Sequence, residues 1–272
     1  WDCAEYISTS AKLQIGHPPG APLFQMLGAV FSILAFENTQ IAYAINMMSV
    51  TSSALTIVFM FWSVSLLSKK ILKVKSEISS EESFKIFGAA FLTTFTFMFT
   101  DSFWFNAVEA EVYAMATLIL SVLFWLGLKW ESEFENERSD KWLILISFVI
   151  GLSFGVHFMG LLAIPTIGLI YYFKKYSKFE LKSFLIANVV SVSILLFIFK
   201  LLLPSTLKLF GYVEVFFVNE LGLPFNSGTI FSALFVIFII YKSISYSKKK
   251  KLYTINTLLL CITYIFIGFS SW

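Results

Sequence analysis

Seventeen acidic side chains fall into two groups by the company they keep. Glu77, Glu81, Glu82, Glu131, Glu133, Glu135, Glu137, Asp140 and Glu180 share their stretches with lysines and read as solvated loop charge. Asp2, Glu5, Glu37, Asp101, Glu109, Glu111, Glu214 and Glu220 stand apart from those lysines, at or near the edges of apolar runs. Carboxylates gathered at one membrane face suit chemistry on protons, cations or hydroxyls, and ionisable groups at membrane depth tend to be functional. Asp2 and Glu5 are three residues apart, which puts them on one face of a helix. Glu109 and Glu111 diverge by about 200° on a helix, so both face one cavity only if the helix starts between them. Glu109 and Tyr113, at i and i+4, can share a face. Two histidines complete the set. His157 lies in an apolar stretch between Gly155 and Gly160, where packing competes with function, and His17 precedes Pro18 and Pro19, where a turn role does. No HExxH, CxxC, GxSxG or P-loop pattern is present, Cys3 and Cys261 make no disulfide framework, and nothing in the spacing requires a metal.

The elements that must hold these side chains are membrane helices. Hydrophobic residues make up 58% of the chain and charged residues 14%, with a mean hydropathy of +0.81, too little charge to cover a soluble surface. Seventeen of the twenty Lys and Arg fall in four blocks, at 69–85, 129–141, 174–182 and 242–251. Apolar runs separate the blocks, which argues against nucleic acid as a partner and for four cytoplasmic loops. Apolar segments at 43–67, 84–100, 108–128, 142–173, 183–203, 229–241 and 252–269 read as helices. The 142–173 segment would be about 48 Å long as one helix against a ~30 Å hydrocarbon core. Both its flanks are cationic, so it reads as a hairpin of two short helices bent near residues 155–160. Eight crossings result, and 1–40, 101–107, the tip around His157 and 204–228 lie outside. The apolar run 21–36 reads as an interfacial helix, preceded by a shorter helix over 1–13, with His17, Pro18, Pro19 and Gly20 between them. The whole of 1–272 is expected to form one transmembrane module, with 1–40 as an outer loop. The chain is expected to be a fragment, missing an earlier span and a soluble C-terminal part.

Several stretches match a known pattern. Asp2-Cys3-Ala4-Glu5-Tyr6-Ile7 followed by Gly16-His17-Pro18-Pro19-Gly20-Ala21-Pro22-Leu23-Phe24 resembles the opening signature of a membrane family long labelled a domain of unknown function. That family includes an animal transmembrane protein O-mannosyltransferase of plexin-type receptors. The stretches 105–113, 151–157 and 216–228, the last containing Asn219, also resemble it, and the resemblance runs over essentially the whole chain. Ala4 departs from the pattern, where many members have Gly.

The resemblance implies an all-α membrane protein with a GT-C-type multi-pass bundle and outer-face juxtamembrane helices. It implies transfer of a sugar, mannose in the family's animal member, from a polyprenyl-phosphate carrier to Ser/Thr hydroxyls of an acceptor protein. The setting would be a bilayer, the bacterial inner membrane or the endoplasmic reticulum. The lipid-linked sugar is a substrate, so no cofactor is expected. Asp2 is expected as the base for the acceptor hydroxyl, with Glu5 positioning the acceptor or Asp2 itself. Lys12, His17 or His157 would contact phosphate, and Glu109, Glu111, Tyr113 and Asn219 would line the substrate site. A secondary transporter using the outer carboxylates is the rival reading, and a non-catalytic scaffold the third.

Overall fold

The computed structural model describes residues 2–18, 20–74, 77–136, 139–176 and 178–270. Pro19 of the His-Pro-Pro-Gly stretch and Glu137 of the lysine-associated acids lie outside the described residues. Among those described, all regular structure is helical. Two short helices, α1 (Cys3–Lys12) and α2 (Pro22–Ser32), precede the bundle. Then follow α3 (Ile41–Ile71), α4 (Ser80–Met98), α5 (Asp101–Val108), α6 (Val112–Ser132), α7 (Asp140–Ser153) and α8 (Ala163–Lys175). The chain closes with α9 (Leu181–Leu196), α10 (Leu203–Val215), α11 (Ser227–Lys249) and α12 (Tyr253–Phe269). It is an all-α integral membrane protein.

Helix α6 is the centre of the α3–α7–α8 group. It lies against α3, α7 and α8. The face of α3 turned inward is rich in small hydroxyl residues (Ser49, Ser52, Ser53, Thr56 and Ser63 are buried), and small side chains let helices approach in a medium that offers no hydrophobic drive. Lys70 pairs with Glu131, tying the C-terminal end of α3 to that of α6. Glu133 then accepts from Lys141 at 3.0 Å and from the Trp142 indole at 3.0 Å, bringing the start of α7 to the same end. Tyr171 near the end of α8 stacks on Trp130 at 5.9 Å, and Lys174 sits 5.8 Å over the Phe134 ring. The Thr257 hydroxyl of α12 donates to Asp140 at 2.5 Å. All four basic stretches therefore gather at one end of the bundle.

The 142–173 segment is a hairpin. Both its feet stand at the C-terminal end of α6, while His157 in its bend lies 5.6 Å from Tyr113 at the N-terminal end. The bend is a turn followed by a 3-10 segment, Phe158–Leu162. Helix α12 runs back along α7 with backbone-to-backbone closeness. A Cβ on Gly151 would strike the Ile265 carbonyl oxygen, and one on Gly268 would strike that of Phe148.

The crossings differ from expectation in two respects. Among the described residues, four helical stretches are long and apolar enough to span a bilayer: Asn38–Ile71, Val112–Ser132, Leu181–Glu220 and Ser227–Lys249, with a fifth if α4 and α5, bent by 67°, count as one. Helices α7, α8 and α12, of 14, 13 and 17 residues, fall short of the ~20 a bilayer usually needs, so the eight expected crossings are not eight full-length spans. Lysine placement reports which end a loop lies at; it does not report helix length.

The second difference concerns residues 204–228, expected to lie outside and, over 204–220, found in continuous helix. The helix begun at Leu181 continues through Pro204 to Glu220 as a 40-residue unit. Pro204 lacks an N–H and would break an ordinary helix interior. Here it follows a π-helical segment, Phe197–Leu202, and occupies the first turn of α10, where the changed register accommodates it. The turn into α11 is closed by Glu214, whose carboxylate accepts the N–H of Asn226 at 2.6 Å, the N–H of Thr229 at 2.7 Å and the Thr229 hydroxyl at 3.0 Å. Gly228 is required there, because a Cβ would lie 2.6 Å from Glu214 Cα.

Helices α1 and α2 are docked, not loosely laid on a surface. Tyr6, Ala21 and Phe24 are buried against Met48, Val112, Met115, Ala116 and Val156. The first N–H groups of α2, at Leu23 and Phe24, donate to the Gly155 carbonyl of the hairpin bend at 2.8 and 3.2 Å. These are donors that a helix N-terminus otherwise leaves unsatisfied.

Candidate active site

The corner begins with α1. Asp2 stands at the N-cap position without a side-chain capping bond and Glu5 occupies the first turn, while buried Tyr6 fixes the roll of the helix by an edge contact with Phe24, centroids 5.1 Å apart. The chain then turns back from Leu13, and Pro18 disfavours helix at His17. That return brings His17 onto Glu5. The His17 backbone N–H donates to Glu5 Oε1 at 2.7 Å, and His17 Nδ1 lies 3.0 Å from Glu5 Oε2. His17 Nε2 lies 3.8 Å from Asp2 Oδ2. The backbone and side-chain hydrogen bonds from His17 hold the Glu5 carboxyl below its ordinary pKa. One ligand atom from each of Asp2, Glu5 and His17 lies within 4.8 Å of the others, a spacing that can hold a metal ion.

Residues far along the chain complete the corner. The Asp2 N–H donates to Glu111 Oε1 at 3.3 Å. Helix α6 starts at Val112, four residues later than expected. Glu109 and Glu111 therefore both precede it, in extended backbone joined by a tight turn in which the Glu111 N–H donates to the Glu109 carbonyl at 2.8 Å. The expected Glu109–Tyr113 pairing on one helical face is thus replaced. Both carboxylates act on α1 instead, adding to burial in raising the Cys3 pKa. Burial likewise raises the Tyr6 pKa, with Asp2, Glu5, Glu111 and Tyr113 contributing.

Tyr113 pairs with His157 across the α6–hairpin contact. His157 Nδ1 accepts the Met159 N–H at 3.2 Å, and burial lowers its pKa, so the ring is neutral near pH 7 and carries no charge to offer a phosphate.

Two expected site residues are not brought in. Lys12 is in the last turn of α1, roughly 15 Å of helix from Asp2. Asn219 sits in a π-helical segment, Phe216–Glu220, that packs on α10 and α11. Its stretch serves the Glu214 turn; a recurring motif built for a turn looks, in sequence, like one built for a ligand.

One residue was missed. Gln25 of α2 is 6% exposed, and its Nε2 has no hydrogen-bond partner among the described residues. The amide inside the apolar run 21–36 was the available signal, since buried polar groups are ordinarily satisfied. Below the corner, a cavity of about 490 Å³ runs between α3, α6 and α8. Its lining includes Thr56, Ser63, Phe97, Thr117, Phe124 and Leu162, and Thr117 is one turn from Tyr113. The Thr56, Ser63 and Thr117 hydroxyls donate to carbonyls of their own helices at 2.7–2.9 Å, so the surface left to an occupant is apolar.

The family model described as the protein O-mannosyl-transferase TMEM260 N-terminal domain matches residues 2–180. The chain belongs to this family. The matched stretch holds Asp2, Glu5, His17, Glu109, Glu111, Tyr113 and His157 and stops short of α9, so it is narrower than the whole-chain resemblance and excludes Asn219. A Dictyostelium discoideum protein O-mannosyl-transferase tmem260 is 28% identical over 177 residues, covering 60% of this chain and 19% of its own length. The Mus musculus protein O-mannosyl-transferase TMEM260 is 25% identical over 152 residues, covering 56% of this chain and 19% of its own. The chain thus spans about a fifth of the length of the curated relatives it matches. No solved structure matches it.

Proposed function

We propose that this chain is the membrane part of a glycosyltransferase that moves mannose from a polyprenyl-phosphate carrier to Ser or Thr hydroxyls of an acceptor protein. The reaction would take place on the outer face of a bacterial inner membrane, or the lumenal face of the endoplasmic reticulum. Family membership and the names of the relatives support the reaction class. The observation that carries the site is the Asp2–Glu5–His17 corner, docked through α2 and the hairpin bend above an apolar cavity. A carboxylate corner suits a hydroxyl acceptor, and an apolar cavity between helices suits an isoprenoid tail.

In this reading Asp2, whose side chain is 51% exposed, takes the proton of the acceptor hydroxyl. The acceptor oxygen attacks the anomeric carbon as the bond from that carbon to the phosphate oxygen breaks, and polyprenyl phosphate leaves with the electron pair. Attack from the far side inverts the anomeric centre. Glu5 holds His17 and so fixes the loop against which the acceptor lies.

The test is transfer of labelled mannose from polyprenyl-phosphate mannose to a Ser/Thr peptide by the full-length protein. Wild-type transfer lost in Asp2→Asn at matched membrane yield supports the reading. Undiminished transfer by Asp2→Asn removes the base assignment, and no transfer by the wild type removes the reaction.

A further inference from the structure

The three side chains at the head of α1 have the layout of a cation site. Glu5 engages Nδ1 of His17, which leaves Nε2 as the ring atom facing Asp2 Oδ2 across 3.8 Å. A carboxylate on one imidazole nitrogen with the other nitrogen free is how metal-binding histidines are oriented. An ion with bonds of ~2.1 Å fits between a nitrogen and an oxygen at that separation. We propose that Asp2 and His17 bind a divalent cation, with Glu5 as the outer carboxylate that orients His17.

Two further observations point to an occupant. The first is Gln25, nine-tenths buried beneath the corner with an unpartnered Nε2. That atom is 2.7 Å from the point where a Cβ on Gly16 would lie, and Glu5 Oε1 is 3.3 Å from the same point. The amide and the Glu5 carboxylate thus border the same space that Gly16 leaves open. Amide nitrogen and oxygen exchange places by rotation about one bond, and the rotated amide would turn its oxygen to that space, where it could accept from the polarised waters of a bound cation.

The second observation is charge. Asp2 and Glu5 converge on a single histidine, the only basic side chain described within ion-pair distance of either. Of the other groups expected to meet phosphate, Lys12 is at the far end of α1 and His157 is neutral. A phosphate-bearing donor entering two carboxylates needs positive charge from elsewhere, and a divalent ion supplies it at the leaving oxygen. This last step rests on the transferase reading; the ion site itself does not. One imidazole and one carboxylate, with open positions for water and phosphate, suit Mn²⁺ better than Ca²⁺, which prefers oxygen alone.

The measurement is Mn²⁺ binding to chelator-stripped full-length protein in nanodiscs, followed by loss of the free Mn²⁺ paramagnetic signal. One Mn²⁺ per chain is expected, with affinity reduced roughly 10–100-fold by Glu5→Gln, the usual worth of an outer partner. Asp2→Asn and His17→Gln should abolish saturable binding, while Lys85→Ala, at the basic end, should leave it intact. Asp2 and His17 are exposed, and a retained cooperative thermal transition checks that each variant is folded. No stoichiometric binding by wild type, or equal binding by the Asp2→Asn/His17→Gln double variant, overturns the proposal. Binding is read without donor or acceptor. A chain that binds Mn²⁺ yet transfers no sugar overturns only the transferase reading, and one that transfers sugar without binding Mn²⁺ overturns only the ion.

Discussion

Glu214 and Asp2 belong to the same class in the sequence, acids set apart from the lysine blocks, and the fold treats them in opposite ways. Both oxygens of Glu214 are taken by its own turn, through two backbone N–H groups and a hydroxyl within fifteen residues. Among the described residues the Asp2 carboxylate has only the His17 ring, 3.8 Å away, and half of its side chain is open. A carboxylate whose acceptor capacity is filled by backbone donors closes a turn, and its loss is felt as instability. A carboxylate left with capacity can take a proton or a cation, and its loss is felt as inactivity. Glu5 stands between the two: both its oxygens are engaged, by a residue that itself reaches Asp2.

The largest effect should come from Asp2. Asp2→Asn should lower mannose transfer by roughly 10²–10⁴-fold, the usual worth of a general base, with membrane yield and thermal midpoint unchanged. A matching fall in thermal midpoint would erase the contrast with Glu214.

Glu214→Gln and Gly228→Ala should give the reverse pattern. Each should lower the thermal midpoint, the first by weakening the charge-assisted bonds to Asn226 and Thr229, the second by driving a Cβ against Glu214 Cα. Transfer per folded molecule should hold. Glu214→Gln that stays as stable as wild type but loses transfer would move Glu214 into the site.

For Glu5 the contrast can be read through pH. Its folded pKa lies below the ordinary ~4.3, so its bonds to His17 stabilise the fold above that value. That stability is lost as pH falls through the folded pKa. Wild type should therefore exceed Glu5→Gln in thermal midpoint at neutral pH, with the gap narrowing below about pH 4.3. A gap that persists at lower pH would mean that Glu5 acts by shape and not by charge.

The smallest effects should be those of Lys12→Ala and Asn219→Ala, with transfer near wild type for both. A large loss in either would bring the distant end of α1, or the Glu214 turn, into substrate contact.

Hydropathy and charge are properties of short stretches, and what depends on them was legible. The helices, a hairpin bend near residues 155–160 and the gathering of the basic blocks at one end follow from apolar runs and lysine placement, because lipid and water sort each stretch separately. Asp2, Glu5 and His17 could be singled out because chemistry-bearing residues are scarce in such a chain. Their meeting could not be read off. It depends on a return of the chain that places His17 on Glu5, twelve residues back, and on Glu111 reaching Asp2 from 109 residues away. The same holds for what the sequence did not show. Local rules contain no π-helical segment to carry a helix from 183–203 through Pro204, and a motif such as the one around Asn219 does not say whether it serves a turn or a substrate. Residue types and local periodicity determined the membrane, the helices and a short roster of acids and histidines. Only the tertiary structure decided which acids are consumed by the fold and which remain open, since satisfying a carboxylate requires donors whose positions no local stretch controls.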